Sequence, residues 1–177
     1  MTQISVAKQG KTTAQMKQVA KSEKITGELV RRGIAAGRIV LPSNPIHAPS
    51  CLGIGKGLRV KVNANIGTSR EYCNLKEEVE KAKVAVAAGA HAVMDLSTGG
   101  DLDAIRRRLL KTVPVPFGTV PIYQAGIEAI ERRGSIVDMT ADDMFSMVEH
   151  QAKQGVDFTV VHVGITKVSV ERLCKQK

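Results

Sequence analysis

Four apolar runs in this chain end in side chains able to bind or transform a small polar molecule. Asn63 and Asn65 close "VKVNANIG", and Met94, Asp95 and Ser97 close "AHAVMDLS". Tyr123 and Gln124 follow "VPFGTVPI", and His162 follows "DFTVV". Amide, carboxylate, hydroxyl, phenol and imidazole groups offer hydrogen bonds to a polar ligand. The glycine-rich turns "NANIGTS" and "LSTGG" add backbone N–H groups of the kind that hold a phosphate. In parallel α/β folds ligands bind at the carboxyl ends of the strands, so polar groups at four such ends argue for one site. Each residue also has a plainer reading. Ser97 and Thr98 can cap the helix that follows, Met94 can pack in a core, and a lone His162 can satisfy a local hydrogen bond. Asp138 and Thr140 precede a helix and read as caps.

The elements that must carry these residues follow from residue 60 onward. "NLKEEVEKAKVAVAAG" predicts a helix with Asn74 as N-cap and Gly89 past its C-terminus. "LDAIRRRLLKTV" and "ADDMFSMVEHQAKQG" predict two more, and another begins near Ser169. "VPFGTVPIY" predicts a strand kept short by Pro116 and Pro121. The helix-to-strand junctions "AAGAHAVMDLS" and "KQGVDFTVVHVG" repeat one pattern, with glycine at the helix end. Strands alternating with helices argue for a parallel sheet buried on both faces. Such units build either a doubly wound sheet or the first four βα units of a (β/α)8 TIM-type barrel. A whole barrel takes about 250 residues, so at 177 residues half is expected, with an open edge that invites association.

Residues 1–57 differ in character. Two short helices are expected, over roughly 13–23 and 26–36, with Gly37 closing the second. The segment "IVLPSNPIHAPSCLGIGKGLR" then reads as a linker or irregular wrapping loop. The expected division is a helical N-terminal segment and connector over 1–57, then barrel units over 58–177. Eight Lys/Arg against two Glu put +6 of the net +9 in the first 40 residues. That excess fits a solvated helical face, attraction of a phosphorylated substrate, or nucleic-acid binding. Without interleaved aromatics, nucleic acid is the least favoured partner. Cys51, Cys73 and Cys174 are widely spaced and read as reduced thiols. His47 and Cys51 alone do not make a metal site. No apolar run nears the ~20 residues of a membrane span, and no secretory signal is read, so the expected setting is cytoplasmic.

The motifs "VKVNANIGTS", "AVMDLSTGGDLDAIRR", "PVPFGTVPIYQA", "SIVDMTADDMF" and "QAKQGVDFTVVHVGIT" together resemble the phosphomethylpyrimidine synthase (ThiC) family of thiamin biosynthesis. The opening segments "AKQGKTTAQMKQVAKSE" and "LVRRGIAAGRIVLPSN" resemble the N-terminal part of its shorter members. The resemblance implies a radical S-adenosylmethionine lyase on a (β/α)8 barrel, homodimeric in full-length form. It would convert aminoimidazole ribonucleotide to hydroxymethylpyrimidine phosphate. It also implies a 4Fe-4S cluster and zinc as cofactors, and substrate contacts at Asn65, Met94, Tyr123 and His162.

The family's cluster-binding CxxCxxxxC run is not in this sequence, and the zinc-binding histidines belong to later barrel strands. The expectation is therefore the N-terminal portion of a larger synthase, inactive alone but carrying substrate-binding residues, with no metal ligand and no assigned catalytic residue. Hydroxybenzimidazole synthase of anaerobic cobamide biosynthesis shares these motifs and substrate and is the nearest alternative. A non-catalytic ribonucleotide-binding or remnant module is the other.

Overall fold

A computed structural model describes residues 2–176. Three short helices open the chain: α1 (Gln3–Lys8), α2 (Ala14–Glu23) and α3 (Gly27–Ala35). Each starts where a threonine hydroxyl, from Thr2, Thr13 or Thr26, accepts the N–H three residues on. Helices α2 and α3 lie where the sequence places them, and α1 is an addition too short to show periodicity. Ala7, Met16, Val19, Ala20, Val30 and Ile34 close on Ile39 as one buried cluster. Ile39 begins β1 (Ile39–Val40), which pairs antiparallel with β2 (Ile54–Gly55). The segment expected as an irregular loop therefore contains a small hairpin. It docks because Gly33 leaves room for the Ile39 side chain, where any Cβ would collide.

Four parallel strands follow in sequential order: β3 (Asn63–Ile66), β4 (Ala92–Asp95), β5 (Phe117–Thr119) and β6 (Phe158–Thr159). The intervening and following helices are α4 (Leu75–Ala87), α5 (Leu102–Leu110), α6 (Pro121–Arg133), α7 (Ala141–Gln154) and α8 (Lys167–Lys175). Asn74 caps α4 and Gly89 follows it with positive φ, as the sequence predicts. Thr140 caps α7 in a reciprocal capping box with Asp143. The core lies between sheet and helices, with Ile66, Val93 and Phe117 meeting Val79, Ile105 and Leu109.

Two expectations change here. "VPIYQA" is not the end of a strand. Pro121 is the first residue of α6, where its fixed φ suits a helix start and its missing N–H costs nothing. Strand β5 thus ends at Thr119, and Tyr123 and Gln124 lie in the first turn of a helix. Strand β6 shortens for the same reason. With β5 ended, β6 has ladder partners only for Phe158 and Thr159, and His162 lies in coil beyond them.

The connector is tied beneath the sheet at the starts of β5 and β6. His47 Nδ1 meets Asp157 Oδ2 at 2.5 Å, and its Nε2 donates to the Val113 carbonyl at 2.7 Å. Asp157 also accepts the Asn44 N–H at 2.6 Å and the Phe117 N–H at 2.8 Å. The Asn44 amide donates to the Ala152 and Val156 carbonyls. His47 is thus engaged by a carboxylate and a carbonyl, with both side chains of the pair buried. Removing this carboxylate strands its partners on Asn44, His47 and Phe117, so Asp157→Ala should lower unfolding free energy by about 3 kcal/mol. A urea midpoint like that of the parent protein would show the tie to be dispensable.

Candidate functional site

At the carboxyl ends of β3 and β4 the two following loops are laced together. Ser97 Oγ donates to Asp95 Oδ1 at 2.5 Å, and the Ser97 N–H donates to the same oxygen at 2.9 Å. The Thr68 N–H donates to Ser97 Oγ at 3.1 Å, and Thr68 Oγ1 donates to the Gly99 carbonyl at 2.7 Å. The Thr98 N–H bonds the Thr68 carbonyl, and the Gly67 N–H bonds buried Glu78. A Cβ on Gly99 would strike the Ser69 carbonyl, so the loops approach this closely only with glycine there.

This lacing bears on two readings. Ser97 is not the cap of α5; Asp101 is, accepting the Ala104 N–H at 2.9 Å. The N–H groups of Gly67, Thr68, Ser97 and Thr98 are also spent within the protein, so these four join the two turns and are not offered to a phosphate. Burial pushes the Asp95 pKa up, against the two Ser97 hydrogen bonds and the charge of Arg106, while Glu78 adds to the rise.

Alternation along the strands sorts the remaining candidates. Ile66, Val93 and Asp95 face the helices, so Asn65 and Met94 project from the opposite face, side by side in register. Asn63 Nδ2 donates to Asn65 Oδ1 at 2.8 Å, leaving the Asn65 amide N–H groups for other partners. Tyr123 and His162 form a second pair, with ring centroids 6.4 Å apart and planes tilted by 31°. They line a cavity of about 450 Å³ together with Arg70, Thr98, Ile122 and Ile127. Its walls do not include Asn65 or Met94. The four expected residues therefore come as two pairs at the same end of one sheet.

Gln124 belongs elsewhere. It turns into the helix layer, where Arg106 Nη2 donates to its Oε1, as does Gln151 Nε2 at 3.2 Å. Its own Nε2 donates to Asp103 at 3.0 Å and Glu128 at 3.1 Å. Arg106 Nη1 reaches Asp103 at 2.9 Å and Gln154 at 2.5 Å, while Thr119 Oγ1 donates to Gln151 at 2.6 Å. One network thus joins α5, α6, α7 and the last residue of β5. Its signal in the sequence is Arg106 on the apolar stripe Leu102, Ile105, Leu109, where a charge needs buried partners.

Among the described residues no three His, Cys, Asp or Glu side chains group closely enough to hold a metal ion. Cys51, Cys73 and Cys174 are free thiols. No helix there is long and apolar enough to cross a membrane.

Comparison with known proteins adds a consistent set of likenesses. Residues 2–177 match the model of the radical SAM ThiC family. A phosphomethylpyrimidine synthase of Thermus thermophilus is 54% identical over 173 residues, 97% of this chain and 40% of the relative. That of Pyrococcus furiosus is 54% identical over 176 residues, 98% of this chain and 41% of the relative. That of Desulforudis audaxviator is 55% identical over 177 residues, 99% and 41% respectively. The chain spans about 40% of the length of the curated relatives it matches.

The helix-layer network makes a pH prediction. Burial alone would raise the Asp103 pKa, but hydrogen bonds from Gln124 and His150 and the charges of His150 and Arg106 outweigh it. They hold the carboxyl at about 2, below its ordinary 3.8. A depressed carboxylate adds stability that is fully present above its unfolded value and lost as pH falls through its folded one. Asp103→Asn should therefore flatten the decline of the urea midpoint between about pH 4 and about pH 2. An acid limb as steep as that of the parent would refute this assignment.

Proposed function

Because this chain belongs to the radical SAM ThiC family, we propose that it forms the N-terminal, ribonucleotide-holding part of a phosphomethylpyrimidine synthase. The substrate is aminoimidazole ribonucleotide and the product hydroxymethylpyrimidine phosphate, in the cytoplasm. The observation that carries the reading is the Tyr123–His162 ring pair over a cavity at the carboxyl end of the parallel sheet. Asn65 and Met94 stand in register at that same end. A ribonucleotide presents a flat heteroaromatic base, ribose hydroxyls and a phosphate. Tyr123 offers a ring for the flat part and His162 a ring-nitrogen hydrogen bond. The Asn65 amide suits a hydroxyl, and Met94 supplies a polarizable apolar contact.

Four βα units in sequential parallel order fit the first half of a (β/α)8 barrel, over residues 58–177, with residues 1–57 as a helical segment and connector. Val60, Val62 and Val84 stand exposed near one edge of the sheet, and Val161, Val163 and Ile165 past the other. Further βα units would cover both edges. S-adenosylmethionine with a 4Fe-4S cluster supplies radical chemistry in this family, and zinc accompanies it in our reading. The residues present do not fit those metals, since no ligand set assembles among the described residues. What this chain contributes is binding and orientation, and in full-length form we place it in a homodimer.

The missing ligand set favours a second reading, a ribonucleotide-binding module without chemistry of its own. Two measurements test both. Calorimetry should detect aminoimidazole ribonucleotide binding to the 177-residue chain. Asn65→Ala and His162→Ala should each weaken it about tenfold, the loss of one or two hydrogen bonds. The chain supplied only with S-adenosylmethionine and a reductant should form no pyrimidine. Absence of binding would sink both readings, and turnover by the chain alone would sink the division of labour. Restored turnover when the remaining part is supplied would decide for the synthase, and a benzimidazole product would move it to the paralogous reaction.

A further inference from the structure

Helix α6 begins without a capping side chain: Val120 stands at the N-cap and contributes none. Its first turn nonetheless holds Tyr123, one ring of the pair that lines the cavity. The side chain that ties this turn to its neighbours is that of Gln124, the next residue. Its carboxamide is fully used, with Oε1 accepting from Arg106 and Gln151 and Nε2 donating to Asp103 and Glu128. Two acceptor sites and two donor hydrogens are the whole capacity of the group, so its orientation is determined. Arg106 is 3% exposed and holds this arrangement with a planar fork: one terminal nitrogen on Gln124, the other on Asp103 and Gln154. Successive helix residues are about 100° apart around the axis, so fixing Gln124 inward sets the direction of Tyr123. His162 enters from coil past the two-residue strand β6 and has no ladder of its own to set its place.

We propose that Arg106 is a positioning residue: through Gln124 it sets the start of α6, and thereby holds Tyr123 against His162. The role of that pair in gripping a ribonucleotide rests on the function proposed above, whereas the positioning itself does not. The other network members are consistent with this task. Gln151 links Gln124 to Thr119, the last residue of β5, so the strand end and the helix start are held by one set of bonds. The Arg106 Nε has no partner among the described residues, and the guanidinium is retained there although its burial is incompletely compensated.

The chain has two tyrosines and no tryptophan, so Tyr72→Phe leaves Tyr123 as the only strong intrinsic fluorophore. A protonated imidazole close to a phenol quenches its emission. Emission of this single-tyrosine protein should therefore fall on going from about pH 8 to about pH 5, where imidazoles in general carry a proton. His162→Gln should remove that fall. Arg70 is the other charged group lining the cavity and keeps its charge throughout this range. Arg106→Met should lose most of the His162-dependent quench while keeping the helical circular dichroism of the parent. Arg106→Lys keeps the charge without the fork and should lose it too.

Gln124→Asn, which draws the amide back by one methylene, should give the same loss and decides the matter if the Arg106 variants do not fold. A full quench in the folded variants, whatever their melting temperature, would reduce Arg106 to a stabilising residue and overturn the proposal. So would a parent quench indifferent to His162→Gln. No ligand enters this measurement, so its failure is separable from a failure to bind ribonucleotide.

Discussion

The carboxylate of Asp157 is the interaction on which the remaining architecture depends. Strand β6 has two ladder residues, too few to set a register by pairing alone. Asp157, immediately before it, bonds β5 twice, its carboxylate accepting the Phe117 N–H and its own N–H donating to the Phe117 carbonyl. The same carboxylate receives Asn44 and His47 from the connector. One buried group therefore sets where β6 starts and where residues 44–47 lie. Everything downstream of β6, His162 included, inherits its position from that register.

The sheet divides its polar groups by end. At the strand starts, Asp157, His47 and Asn44 are saturated by the protein and serve cohesion. At the strand ends, Asp95, Ser97 and Thr68 are likewise spent on one another, joining two loops into a single platform. Beyond that platform, Asn65, Tyr123 and His162 keep polar groups available. The separation follows from desolvation. A buried polar group must find partners inside the protein, so the groups left for a ligand are those at the rim.

Much of this was legible in local patterns. Asn74 and Thr140 cap helices as the sequence predicts, and glycines follow several helix ends. Repeated strand–helix units implied a parallel sheet, and four such strands pair in sequential order. The residues read from the sequence as a strand-end set were harder. Pro121 was legible as a limit on a strand, and the same fixed φ and missing N–H make it the first residue of α6. For Ser97 the sequence leaves a ligand contact and a helix cap both open, and its hydroxyl instead bonds the buried Asp95 carboxylate. The hairpin β1–β2 has no strand-like run, and exists because Gly33 admits Ile39.

What the sequence determined by itself was much of what is set within about one helical turn: helix caps, the glycines past helix ends, and the strand–helix periodicity. Its motif order also carried the resemblance to the family. The tertiary structure alone decided which of those residues meet. It turned Gln124 inward and Tyr123 outward, paired Tyr123 with His162 across 39 positions, and set Asn44 and His47 against Asp157. The physical reason is that a side chain's partner is chosen by desolvation and register between distant segments. Neither is encoded in any single stretch of chain.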